Sequence, residues 1–323
     1  MKSLRSPLIS LAALALLGLS VEYGLNAYIQ LILLFIMVNG MMAMSLNLIS
    51  GYTGQFSLGH AGFMALGAYF SAYASTHWHI FPDNLMILNF FLYSLGGGLT
   101  AAVAGFLVGQ PSLRLKGDYL AIVTLGFGEI IRVGLLNADF LGGPRGYSGI
   151  PALDSFTQSF IFASVWLLIC FFTLWRMMHS SYGRAFLSVR EDEIAAEAMG
   201  INTTQTKVRA FVISSFFAGV AGALYAHFTN YISPSSFTFL QSVNAVIMVV
   251  LGGMGSMSGC LIAAVVVTAL PELLRPLQDL TGIDLRMVIY SLGLVLVMIL
   301  RPQGLMGELE IPDLWRKYVK RSP

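Results

Sequence analysis

Residues are mostly apolar from position 7 to position 300, on either side of one charged island. The stretch 181–209, SYGRAFLSVREDEIAAEAMGINTTQTKVR, holds eight charged side chains: Arg184, Arg190, Glu191, Asp192, Glu193, Glu197, Lys207 and Arg209. A helix needs about 20 apolar residues to cross a bilayer. The flanking runs divide at 7–23, 27–49, 55–76, 86–110, 118–136, 159–178, 209–230, 241–256, 259–274 and 286–301. This pattern predicts an all-α polytopic membrane protein of about ten transmembrane helices, within a range of eight to eleven. Segments 55–76 and 241–256 are glycine-rich or short and are expected to be broken or re-entrant.

The polar island reads as one short helix with both ends marked. Glu191, Asp192 and Glu193 supply the negative charge that a helix N-terminus favours, and Gly200 stands where a helix stops. Asn202 or Thr203 is placed to cap a following helix. Between these ends Ile194, Ala195, Ala198 and Met199 recur at helical spacing as a small, apolar stripe. A helix of about three turns is marginal alone in water, so the stripe is expected to lean on something else. A solvated loop between two spans is the plain alternative to a docking helix gripped by a partner.

Lysine and arginine set the orientation, because short positive loops stay in the cytoplasm. The clusters Lys2/Arg5, Arg114/Lys116, the island group of Arg176, Arg184, Arg190, Lys207 and Arg209, and Arg301 with Arg316, Lys317, Lys320 and Arg321 are separated by even numbers of predicted spans. Both termini and the island are therefore expected on the cytoplasmic side. The turn-rich loop 137–158, with GGPRGYSGIP, falls opposite, as an external loop or a docking surface. The chain reads as a single transmembrane domain over 1–323, with a cytoplasmic loop at 181–208 and a basic tail at 302–323. The first segment has the basic start and apolar core of a signal peptide without a clear cleavage site, and is read as a retained span.

Composition sharpens the class. Hydrophobic residues make up 56% of 323 and charged residues 11%, against roughly 25% charged in soluble domains; mean hydropathy is +0.76. The net charge of +2 is spread over span ends and tails, which speaks against nucleic acid as a partner. Cys170 and Cys260 lie in apolar runs, so neither a disulfide framework nor a metal site is indicated.

Candidate pathway chemistry concentrates in residues 45–70. Gly51, Gly54, Gly59, Gly62 and Gly67 argue against a straight lipid-facing helix, and Gln55, Ser57 and His60 would be costly against lipid. A lone intramembrane histidine, His60 or His227, is more often a hydrogen-bonded packing residue than a proton relay. Gly51-x-x-Gly54-x-x-Ser57 matches Gly252-x-x-Gly255-x-x-Ser258, which suggests a two-half internal repeat, and glycine-interrupted segments in two halves point to a transport pathway. Glu129 is the one acid well inside a span, and Arg132 lies on the same helical face to pair with it.

The chain resembles a known family in GYTGQFSLGHAGFMALGAY, LRLKGDYLAIVTLGFGEIIR, GGPRGYSGIP, SYGRAFLSVREDEIAAEAMGIN and FVISSFFAGVAGALYAH. These are similar to the permease subunits of bacterial branched-chain amino acid ABC importers, over roughly residues 46 to 304. The resemblance implies an inner-membrane machine in which two homologous permeases form the pore. Two cytoplasmic ATPases, holding ATP and Mg, drive it, and a periplasmic binding protein delivers the amino acid; this chain would carry no cofactor of its own. In such permeases the docking loop carries Glu-Ala-Ala, three residues, then Gly. Here Ala195, Ala196 and Gly200 fit the frame, Ile194 stands in the Glu slot with Glu193 one residue early, and the downstream Ile-x-Leu-Pro part is missing. The resemblance thus assigns coupling to Glu193, Ile194, Ala195, Ala196, Ala198, Met199 and Gly200. The pathway is expected at Gly51, Gly54, Gln55, Ser57, His60, Gly252, Gly255 and Ser258.

Three alternatives stay open. Urea, short amides or other amino acids would suit the same pore. An ion-coupled secondary transporter would need titratable core groups beyond Glu129 and the histidines. A membrane enzyme would need motifs the chain lacks, His-Glu-x-x-His or Gly-x-Ser-x-Gly, and without Gly-x-x-x-x-Gly-Lys-Ser/Thr the chain is not expected to be the ATPase itself.

Overall fold

The computed structural model describes residues 22, 24–78, 81–82, 86–113, 115, 117–153, 155–275, 286–307 and 310. The predicted first span at 7–23 apart from Glu22, the Arg114/Lys116 cluster and the basic residues beyond 310 lie outside the described residues. Eleven α-helices occur among those described: α1 Ala27–Asn47, α2 His60–His77, α3 Met86–Ser112, α4 Asp118–Leu136, α5 Phe156–Met178, α6 Ser181–Glu191, α7 Glu193–Ala198, α8 Thr203–Thr229, α9 Phe239–Gly252, α10 Met257–Leu273 and α11 Arg286–Leu300. The chain is thus an all-α membrane protein. Five of its helical stretches, Ala27–Tyr52, Met86–Ser112, Tyr119–Leu136, Phe156–Met178 and Thr203–Thr229, are long and apolar enough to cross a bilayer. The count of ten is not established. Three further apolar helices are shorter, and α9, at 14 residues, spans about 21 Å against roughly 30 Å of hydrocarbon.

Helix α8 forms the centre and is buried over most of its length. Its glycines let neighbours approach to backbone contact. A Cβ on Gly67 of α2 would run into the backbone of Gly219, one on Gly97 of α3 would lie 2.7 Å from Gly67 O, and one on Gly219 would lie 2.6 Å from Gly97 O. Between membrane helices, where lipid is as apolar as leucine, such close packing of small residues is a main source of association. The same core holds Phe63, Met64, Phe211 and Trp166, the last stacked on Phe91 with ring centroids 5.0 Å apart.

Long-range contacts sort the helix ends into two sets. At the end carrying the island, Arg190 reaches Gly51, Gly255 meets Asn47, and Leu305 N donates to Leu251 O at 2.7 Å. At the far end, β1 (Tyr147–Ser148) pairs antiparallel with β2 (Tyr231–Ile232), and the Tyr147 hydroxyl bonds Thr76 at the end of α2. The loop 137–158, in its described residues, contains two 3-10 turns and left-handed glycines at Gly142, Gly143, Gly146 and Gly149.

The boundaries shift where capping overrides apolar count. Helix α8 begins at Thr203, six residues before the predicted 209, because Asn202 Oδ1 accepts from Gln205 N at 2.9 Å. Ser155 likewise starts α5 ahead of 159. The island holds two helices where one was expected. Asp192 interrupts it with extended backbone (φ −156°) and caps α7 through Ile194 N at 2.9 Å and Ala195 N at 3.1 Å. Glu191 therefore closes α6 and does not open the docking helix.

Candidate functional site

Both glycine-rich segments are helix breaks, and they meet. After Asn47, α1 widens into a π-helical turn, Leu48–Tyr52, followed by irregular chain until His60 opens α2. Here Gln55 N and the Thr53 hydroxyl both bond back to Ile49 O, at 3.0 and 2.7 Å. The second break lies between α9 and α10, where Gly253 (φ +112°) and Gly255 (φ +92°) reverse the chain and Ser256 caps α10 through Gly259 N at 3.0 Å. Asn47 Oδ1 accepts from Gly255 N at 3.0 Å, and a Cβ on Gly51 would collide with Asn47 and lie 2.5 Å from Gly255 N. Gly51 is glycine here because another backbone occupies the space a side chain would need.

A cavity of about 670 Å³ opens beside this junction, lined by Ser50, Gly51, Gly54, Phe56 and Arg190 with Met254 and Gln303 opposite. Gly54 is exposed and left-handed (φ +68°), whereas Gly51 and Gly255 are buried under it. The C-terminal segment straps the second break. Met306 N bonds Gly252 O at 3.1 Å, and the Glu310 carboxylate accepts from Met257 N (2.7 Å), Ser258 N (3.1 Å) and the Ser258 hydroxyl (2.6 Å). Ser258 is thereby tied to the strap, and Gly252 packs on the backbone of Gly259. These two expected pathway residues are covered; Gly51, Gly54 and Gly255 gather at one junction.

Polar groups without partners concentrate in the first break. Eight buried side-chain nitrogen or oxygen atoms lack a hydrogen-bond partner among the described residues, and six belong to the segment 47–60: Asn47 Nδ2, Ser50 Oγ, both amide atoms of Gln55, Ser57 Oγ and His60 Nδ1. Gln55 is only 7% exposed, and Ser57 and His60 are fully buried. An unsatisfied buried polar group costs about 1–3 kcal/mol, so these six atoms in 14 residues call for polar partners beyond the described residues. His60 Nε2 lies 2.8 Å from the Ser45 hydroxyl. His227 differs: Nδ1 must donate to Pro151 O at 2.9 Å, so Nε2 accepts from the Ser71 hydroxyl at 2.9 Å, and both ring nitrogens are used. Glu129 and Arg132 pair at 2.7 Å on α4, as their spacing predicts.

The island presents a surface. Ile194 is 74% and Met199 82% exposed, and Ala195 and Ala198 are exposed beside them. The other expected coupling residues hold this face in place: Ala196 is buried beneath α7, Glu193 pairs with Lys207 at 2.6 Å, and Gly200 (φ +83°) turns the chain back so that Ile201 N reaches Ala196 O at 3.0 Å. A shallow groove of about 440 Å³ runs along it, lined by Leu187, Asp192, Ala195 and Met199. Sequence reasoning missed four residues that shape the site: Asn47, Arg190 as a contact to the break, Gln303 and Glu310. Arg190 was legible only as one of the island's charges, since nothing local marks its partner 139 residues away.

Comparison with known proteins places this arrangement. Residues 28–300 match the family described as branched-chain amino acid transport system, permease component. The chain is 37% identical over 308 residues to the high-affinity branched-chain amino acid transport system permease protein LivM of Salmonella typhimurium, covering 84% of this chain and 68% of that one. It is 26% identical over 339 residues to the probable permease LivM of Methanocaldococcus jannaschii, covering 91% and 98%. Similarity also extends to the permease LivH of Salmonella typhimurium, 28% identical over 194 residues and 60% of each chain. No solved structure matches.

Proposed function

Because the chain belongs to the permease-component family of branched-chain amino acid transport systems, we propose that it is one of two pore-forming subunits of an ATP-driven importer carrying branched-chain amino acids across the bacterial inner membrane. The observation that carries this reading is the family match from residue 28 to 300, which spans both helix breaks and the island. The companion subunit is a homologous permease; the likeness of this chain to both LivM and LivH supports a pore of two related halves. Two ATPases, holding ATP and Mg, dock on the island through Ile194, Ala195, Ala198 and Met199, and a periplasmic protein delivers substrate at the far end. Both termini and the island face the cytoplasm, in keeping with the lysine and arginine clusters.

The substrate path runs past Gly51, Gly54, Gln55, Ser57 and His60. Unpartnered amide and hydroxyl groups beside irregular backbone supply polar contacts for an ammonium and a carboxylate, and the surrounding apolar surface suits an aliphatic side chain. Gly255 abuts Gly51 beside this path, while Gly252 and Ser258, covered by Gly259 and Glu310, brace it from behind. Ion coupling finds little support at Glu129, which is held by Arg132, or at His227, whose ring nitrogens are both engaged.

Reconstitution of the complete importer in proteoliposomes tests the assignment. Leucine uptake is expected only with ATP and binding protein, competed by isoleucine and valine and not by urea. Uptake driven by an ion gradient without ATP would overturn it.

A further inference from the structure

The side chain of Arg190 joins three parts of the molecule that are far apart in sequence. It lies in the last turn of α6, two residues before the Asp192 cap of the exposed helix α7. Its Nη1 donates to Gly51 O at 3.2 Å, in the π-turn that ends α1. Its stem lies against Gly54, where an added Cβ would come 3.1 Å from Cγ and 3.4 Å from Cα. Its Nη1 also borders the second break, 3.4 Å from where a Cβ on Gly255 would stand. Nε and Nη2 are fixed by Glu191 Oε1 at 3.1 and 2.8 Å, which orients the guanidinium fork toward the junction. Gly51 and Gly255 are themselves in contact, linked through Asn47.

We infer that Arg190 is a positioning residue that couples displacement of the island to both helix breaks. The inference rests on the docking role proposed for the island and adds the link from there to the membrane. Helix α7 and the end of α6 share the Asp192 junction, so a partner that shifts α7 shifts Arg190 with it. The guanidinium then draws or releases the Gly51 carbonyl. At that carbonyl the chain has already left α-helical hydrogen bonding, and the adjoining Gly54 has no Cβ to resist rotation. Because Gly51 abuts Gly255, the second break must follow. Small shifts at packed contacts turn into larger rearrangements when the element has two packings, and π-turns recur at functional sites for that kind of local adjustability. Arginine suits this position because its stem fills the space over Gly54. Its planar fork also holds Glu191 and the carbonyl in one fixed geometry, which the flexible lysine ammonium matches less rigidly.

The experiment uses the complete reconstituted importer with three single variants of this chain: Arg190→Met, which keeps the stem and removes the donors; Arg190→Lys, which keeps a cation in reach of Gly51 O; and Ala195→Trp on the docking face. The readouts are co-purification of the ATPases and leucine taken up per ATP hydrolysed. R190M is expected to co-purify normally but to lower uptake per ATP by about tenfold, within the usual range of coupling free energies. R190K is expected to recover most of the ratio. Loss of the ATPases in A195W with their retention in R190M separates docking from transmission, whereas retention in A195W would count against the docking role alone. A normal uptake ratio in R190M overturns the inference. So does failure of both R190M and R190K to assemble, which would make Arg190 a folding residue.

Discussion

At the scale of single residues, the glycines that looked alike in sequence do different work. Gly51 and Gly67 are glycine because another backbone fills the place of their Cβ. Gly54 is glycine because its φ of +68° is left-handed, a conformation that costs an L-residue about 1–2 kcal/mol. A Gly54→Ala change therefore strains the chain and crowds Arg190, so lowered yield and lowered uptake are expected together. Gln55 is the cleaner probe of the pathway. Its side-chain amide makes no hydrogen bond with the described residues, so Gln55→Ala breaks no hydrogen bond among them. Q55A is expected to accumulate at wild-type level, or above it because an unsatisfied amide is gone, while leucine uptake falls about tenfold, the loss of roughly one polar contact to substrate. Normal uptake by Q55A, measured with membrane yield, would place the path elsewhere.

At the scale of elements, α7 shows how a six-residue helix holds its shape without a core of its own. Isolated helices of that length do not persist in water. Asp192 caps one end, Gly200 reverses the chain at the other, and Lys207 and Thr203 of α8 hold Glu193 and Glu197. Only Ala196 turns inward, which leaves the opposite face for a partner. Ala195→Trp places a bulky ring on that face without disturbing any of these anchors. It is expected to leave membrane yield and thermal stability of the permease unchanged, as read by a fluorescence melting curve in detergent, while ATPase co-purification falls. A lowered melting temperature would mean that the face is packed and not free to dock.

At the scale of the whole molecule, the contacts that tie chain-distant segments leave one consistent arrangement of ends. The breaks, the island and the C-terminal strap gather at one end, and the β1–β2 ribbon with the 137–158 loop gathers at the other. Thr204 is exposed beside the first and Ser148 beside the second. Cysteines at these positions are expected to react with an impermeant maleimide from opposite faces of the membrane, Thr204→Cys from the cytoplasm only and Ser148→Cys from the periplasm only. Labelling of both from one face would break the orientation while leaving the fold untouched.

Much of this was legible because the responsible interactions are local or imposed by lipid. Long apolar runs must become helices where backbone groups find no water, so the class and most segments followed from the pattern alone. Asn202 as a cap, Gly200 as a stop and the Glu129–Arg132 pair each act over two to four residues, so spacing suffices to read them. The split of the island at Asp192 was missed because three consecutive acids serve equally well as a helix start, and only the backbone shows which one caps. Tertiary structure alone decided that Gly51 meets Gly255 across 204 positions (255 minus 51), that Arg190 reaches the first break, and that Glu310 covers Ser258. It also decided which glycines pack and which free the backbone. These are contacts between surfaces whose partners lie on different helices, and a helix carries no local mark of which neighbour its face will meet.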